Sequence, residues 1–382
     1  MRSKLSKLLI INTLVLMFFN FAHPVTPEML QDKQIADSFN GILYALMSLG
    51  MVVGSPLWIK NLQKLKSNTI ISYCLLGYGI SQIFFGFSTF IIIMCFSRFL
   101  SGIFASGCIV LSTEYVNQHT NADNKLRYFA YLVVSNSLAG IIGQLLAGIL
   151  GETIGIYYVF ILQAVGLICL IPLVKYLLDE LVKVKKKAKV KKEKLTFNII
   201  ILMILIMLFS AVFTAYNSQI GYYISNMLHG TSFNVAEINS YTKVVSLIMN
   251  IYLITLITKY LKSKRTLILQ SIIGILGMIL VIYNVTFILL GITLFLIGVV
   301  SFKPSIQKYA VSQEPEQSLT IIAYLNSFNA LGMVLGSTLT GVLYTYNPKY
   351  ILYFILSILI LTLIIQIINN TINQQNLHNK GE

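Results

Sequence analysis

The chain has 382 residues, 56% of them hydrophobic and only 11% charged, with a mean hydropathy of +0.79; soluble domains carry about a quarter charged residues. A water-soluble fold could not hide that much apolar surface, so this composition excludes one. The formal net charge of +15 raises nucleic-acid binding as an alternative, which the placement of the basic residues decides against.

Apolar blocks about twenty residues long recur from end to end, the length that crosses a hydrocarbon core about 30 Å thick. They lie near 7–30, 39–59, 69–87, 90–115, 128–151, 157–178, 195–217, 236–257, 266–283, 286–306, 319–343 and 350–368. Backbone polar groups find no water inside lipid, so each crossing is expected to be helical, and alternating apolar-out strands of about ten residues are absent. The expected fold class is all-α: a polytopic membrane protein of about twelve transmembrane helices. The first block follows Arg2, Lys4 and Lys7, as a signal peptide would. Its apolar stretch is long and no small-residue cleavage site precedes a polar domain, so it is read as the first helix.

Taken in chain order, that first helix carries Asn20, then His23 before Pro24, with Glu28 a turn further out. His23 is its only group with an unperturbed pKa near physiological pH. It reads either as a proton carrier or as a hydrogen-bonded residue beside a proline kink, and Glu28 is the alternative titrating group. Arg98 lies deep in the fourth helix, too far inside to reach the surface easily, and Lys243 lies in the eighth. A central cation costs about 2.5–3.5 kcal/mol on insertion scales, so it normally faces protein or water and has a function. Lys303 is close enough to a helix end to snorkel. Among neutral polar residues, Asn20, Asn136, Asn326 and Asn329 are candidate cavity groups, against the plainer role of bonding neighbouring helices. All thirteen acids fall in loops or at helix ends, which weakens a cationic cargo and favours a neutral or anionic one.

Cys74, Cys95, Cys108 and Cys169 lie in apolar blocks without metal or disulfide spacing, the four histidines are scattered, and no phosphate-binding G-x-x-x-x-G-K-[ST] occurs. No catalytic residue, metal site or cofactor is expected. With the amino terminus placed in the cytoplasm, 23 basic residues fall on inner segments and only Lys33 and Lys349 outside, while Arg98, Lys243 and Lys303 are within helices. That is the positive-inside pattern, and it puts both termini in the cytoplasm. The longest run, in 179–194, separates an expected N-terminal six-helix half, 1–178, from a C-terminal one, 195–382. Gly143 and Gly148 recur as Gly336 and Gly341 at one offset of 193, and the basic loop Lys60–Lys66 recurs as Lys259–Arg265, both consistent with two halves of one plan.

These residues resemble the major facilitator superfamily, whose members have two parallel six-helix halves. GSPLWIKNLQKLKSN, from Gly54 to Asn68, is similar to the family's loop signature G-x-P-L-W-G-x-L-S-D-R-x-G-R. Gly54, Pro56, Leu57 and Trp58 match and Lys64 takes the basic position, whereas the acidic position falls on Gln63. RFLSGIFASG resembles the R-F-x-x-G stretch of the drug-and-proton antiporter branch at Arg98 and Gly102. GQLLAG matches that branch's fifth-helix motif at Gly143 and Gly148, with Gln144 in place of proline. The resemblance implies a secondary transporter of the cell membrane, a monomer exporting small hydrophobic or amphipathic compounds by alternating access with protons as coupling ion. Uptake of an organic anion or sugar is the alternative. The partners expected are a small molecule, protons and the lipid bilayer, with no nucleic acid.

Overall fold

The computed structural model describes residues 2–36, 38–62, 64–120, 122–178, 196–227, 231–249, 263–283, 287–314 and 318–378, and every regular element among them is helical. In order these are α1 (Arg2–Phe19), α2 (Ala22–Asp32), α3 (Phe39–Asn61), α4 (Ser67–Phe87), α5 (Ile91–His119), α6 (Ala122–Ile154) and α7 (Ile156–Leu177). There follow α8 (Phe197–Tyr222) with a π-turn at Tyr223–Met227, α9 (Ser232–Ile248), α10 (Ser263–Tyr283), α11 (Ile288–Val300), α12 (Phe302–Gln313), α13 (Ser318–Tyr346) and α14 (Tyr350–His378). Among the described residues, ten segments are long and apolar enough to cross a membrane. The expected crossing at 236–257 begins as α9 and runs past the described residues, and that at 319–343 is α13. Gln63 and the lysine-rich 179–194 lie outside the described residues.

Proline divides two of the crossings. A proline ring collides with the carbonyl four residues earlier and offers no N–H to it. For Pro24 that carbonyl belongs to Asn20, where α1 gives way to α2, and for Pro304 it belongs to Val300, the last residue of α11. Pro56 and Pro172 sit inside α3 and α7 without ending them. In the first break Tyr78 Oη donates to Phe19 O at 3.1 Å, and Gln163 Nε2 adds a 2.6 Å bond to Phe18 O, which also accepts from the Phe21 N–H at 3.1 Å. Inside lipid such replacements are what makes a broken helix tolerable.

Small residues set the closest helix approaches. A Cβ on Gly54 would strike the Ile103 backbone and Ser106, and one on Gly102 would strike the Met47 carbonyl, so α3 and α5 cross almost backbone to backbone. Trp58 closes this crossing by donating from Nε1 to Ile103 O at 2.7 Å, while Lys64 is exposed just past α3. The repeated glycines do equivalent work: a Cβ on Gly143 would meet the backbone of Met17 on α1, and one on Gly336 that of Ala211 on α8. Gly341 is buried one turn beyond.

Packing divides the chain into two compact units, one of Met1–Ala188 with Ile220–Leu247 and one of Lys189–Gln219 with Ile248–Glu382. The units differ from the expected halves in the segment 220–247. Within the first unit α9 is bound to α2 and α6: Ser232 Oγ donates to Glu28, the Phe233 N–H to Glu152 Oε1 at 3.1 Å, and Ser240 Oγ to Ile141 O at 3.3 Å. Large exposed side chains such as Phe84, Phe87, Ile92, Phe96 and Ile364 are apolar, as suits a surface solvated by hydrocarbon.

Candidate functional site

Within the first unit, α2 packs against α6 and α7, and single side chains of α2 reach α3 and α5. Arg98 is 2% exposed. Its Nη2 donates to Thr26 Oγ1 on α2 at 3.2 Å, its Nη1 lies 4.0 Å from Met47 Sδ on α3, and its guanidinium sits 3.7 Å from the centre of the Phe85 ring on α4. Thr26 is held for this by donating its own hydroxyl to Ala22 O. All three partners are neutral. A cation over an aromatic face gains about 0.5–2 kcal/mol, less than the insertion cost of a central arginine quoted above, so these contacts orient the charge without neutralising it. Below it, Gln82 Nε2 donates to Ser101 Oγ at 3.0 Å and Ser101 to Ser97 O at 2.7 Å.

His23, half-buried on the same face, shares a hydrogen bond of 2.9 Å between Nδ1 and Tyr44 Oη on α3. Lys243 approaches from α9, with its aliphatic stem over Gly140 of α6: a Cβ there would lie 3.1–3.3 Å from Lys243 Cγ, Cδ and Cε. Thr26 and His23 on α2, and Met47 and Tyr44 on α3, are each three residues apart, so Arg98 and His23 meet the same two helices, while Lys243 is placed by its contact with Gly140. Asn20, in the break itself, accepts from Gln144 Nε2 at 3.1 Å and donates to Leu16 O at 2.7 Å.

Asn136 is elsewhere in the unit. It accepts from Asn12 Nδ2 at 3.0 Å in a network that joins Asn12 to Ser135 at 2.9 Å and to Ser112 at 3.0 Å, tying α1, α5 and α6. The second unit holds the other two asparagines. Asn329 accepts from Ser210 Oγ at 2.7 Å beside an apolar cavity of about 240 Å³. Lys303, expected to snorkel to the interface, is exposed and also lines that cavity at the α11–α12 break. Asn326 is exposed and accepts a 3.4 Å bond from Gln307.

Sequence reasoning missed Thr26, Met47 and Phe85, the immediate neighbours of Arg98, and the network partners Asn12, Ser112 and Ser135. Gly140 and Gly151, which share a face of α6 with Gly148, were not singled out either. Lys33 Nζ caps the end of α4 by donating to Gly86 O and Ser88 O, and Tyr157 Oη donates to Asp32. Burial lowers Lys33 from its ordinary pKa, and Asp32 opposes this. Among the described residues no group of His, Cys, Asp and Glu could hold a metal ion.

The sequence profile of the Major Facilitator Superfamily matches residues 8–313. The chain is 22% identical over 342 residues to Multidrug resistance protein 2 of Bacillus subtilis (strain 168), covering 86% of this chain and 85% of that one. Tetracycline resistance protein, class H, of Pasteurella multocida is 29% identical over 148 residues, 37% of this chain and 36% of that protein. Among solved structures, the nucleoside transporter NupG superposes with a TM-score of 0.80 at 14% identity, covering 95% of this chain and 99% of that one. A bacterial homologue of the human lysosomal transporter Spinster does so at 0.72 and 14%, covering 96% and 94%. At such identities these two speak for the fold alone.

Proposed function

The chain belongs to the major facilitator superfamily and is a multi-pass membrane transporter, not an enzyme; from that premise we propose that it exports small hydrophobic or amphipathic compounds from the cell by alternating access, with protons as coupling ion. The observation that carries export is the likeness, over 86% of the chain, to a protein named for multidrug resistance. The proposed centre is Arg98, His23 and Lys243, with Asn20 and Gln144 at the broken turn beside it. His23, bonded to Tyr44, is the proposed proton site, and Glu28, exposed further along α2 and accepting from Ser232, is the next candidate. Asn136, Asn326 and Asn329 are secondary, since each is already engaged with a neighbouring side chain. The reading keeps 1–178 and 195–382 as two six-helix halves of a monomer in the cell membrane, with both termini and the segment 179–194 in the cytoplasm.

Counterflow in proteoliposomes against a panel of amphipathic drugs and metabolites, with and without an imposed pH gradient, tests this. Gradient-dependent flux of at least one amphipathic compound is the expected result. Folded protein that moves none of them, or moves them indifferently to the gradient, refutes export or proton coupling respectively.

A further inference from the structure

The charge around the first crossing is one-sided. Arg98 is buried against a threonine, a methionine and a phenylalanine, and Lys243 lies along α6 over Gly140. Neither forms an ion pair among the described residues. The acids on the surrounding helices are occupied elsewhere: Glu28 accepts from Ser232, Glu152 from the Phe233 N–H, and Glu237 from Asn234. Glu152 is also about three turns along α6 from Gly140. The groups facing Arg98 are the tyrosines 44, 78 and 222, which are neutral under ordinary conditions. Arg98, and Lys243 on α9, thus have no protein anion bonded to them among the described residues. A buried charge is retained where it is paired, and an arginine fork suits a planar oxyanion.

We propose that Arg98 and Lys243 bind the anionic head of the transported molecule, a carboxylate or a chemically similar oxyanion, so that the cargo is an amphipathic organic anion rather than a lipophilic cation. This deepens the export reading by naming its substrate class. Phe85, already against the guanidinium, offers an apolar face next to the head. An anion leaving a cytoplasm held negative also moves with the membrane potential, so outward movement of this class needs no protein carboxylate to carry compensating charge.

The test is a matched series on one scaffold: para-butylbenzoate, para-butylbenzamide and para-butylbenzylammonium, measured for binding in phosphatidylcholine nanodiscs and for counterflow in proteoliposomes. The wild-type protein is expected to bind the carboxylate about tenfold or more tighter than the amide, with the ammonium weakest. The carboxylate-to-amide ratio should collapse towards one in Arg98→Gln, fall in Lys243→Gln and be partly kept in Arg98→Lys. No carboxylate preference in wild-type protein, or a preference that survives Arg98→Gln, overturns the inference while amide counterflow leaves export standing. A carboxylate that binds tightly but is never moved sinks the export reading and leaves the site. Stabilisation by phosphatidylglycerol in the disc, without any response to the carboxylate, assigns the anion to a lipid headgroup and overturns the solute version. Failure of all three compounds to bind overturns it as well.

Discussion

Two glycines on α6 stand five residues apart, yet their replacement by alanine should fail in different ways. A Cβ at Gly143 would meet the carbonyl oxygen, carbonyl carbon and Cα of Met17, all backbone of α1, so the helix itself would have to move. At Gly148 the Cβ would come to 2.6 Å from Ala236 Cβ and 3.3 Å from the Phe233 Cα on α9. Ordinary carbon contact is about 3.5–4.0 Å, so α9 must withdraw by roughly 1 Å. Overpacking of this kind costs about 1–3 kcal/mol, and under a rocking mechanism that cost falls only on the state in which α9 lies against α6. Gly148→Ala should then lower the population ratio of that state by about 5–150-fold with folded yield preserved, whereas Gly143→Ala should lower the yield. The assay is disulfide formation between cysteines placed at Gly151 and Ser232, after removal of the four native cysteines. A Cβ at Gly151 would lie 4.0 Å from that of Ser232, inside the range a disulfide accepts. Cross-linking should slow in Gly148→Ala, and flux per folded molecule should change. Equal loss of folded protein in both variants, with cross-linking unaltered, refutes the reasoning.

Three further outcomes are expected. Tyr78→Phe strips the Phe19 carbonyl of its side-chain donor and should cost about 1–3 kcal/mol, seen as a lower melting temperature in detergent, while Tyr73→Phe, at an exposed position, serves as the unaffected control. Asn12→Leu breaks the junction of α1, α5 and α6 and should destabilise by a similar amount, whereas Asn326→Ala should stay within about 0.5 kcal/mol; thermal denaturation of both decides. Single cysteines at Lys187 and Lys349 should be labelled from opposite faces of the membrane, and labelling of both from one face would overturn the topology.

The number and place of the helices were readable because each depends on a property of a whole block, its apolar length, which survives any detail of packing. The first break was also within reach, since Pro24 acts on a carbonyl at a fixed distance in the chain. Arg98 could be singled out because burying a cation is costly wherever it happens. Its partners could not, because Thr26, Met47 and Phe85 lie on three other helices and nothing local marks them. The same holds for Gly140: its small size was visible, but the stem of Lys243 that exploits it arrives from a helix about a hundred residues later.

The bonds that complete the first break bear on how the molecule is assembled. Tyr78 and Gln163, which donate to the carbonyls of Phe19 and Phe18, belong to α4 and α7, and chains emerge from the ribosome amino terminus first. When the first crossing enters the membrane, neither helix has yet been made. Its bend must wait with unfilled acceptors, or stand straighter, until α4 arrives and then α7. The geometry that brings Thr26 to Arg98 is thus a late product of biogenesis, and a chain stalled before α7 would insert its first crossing without finishing it.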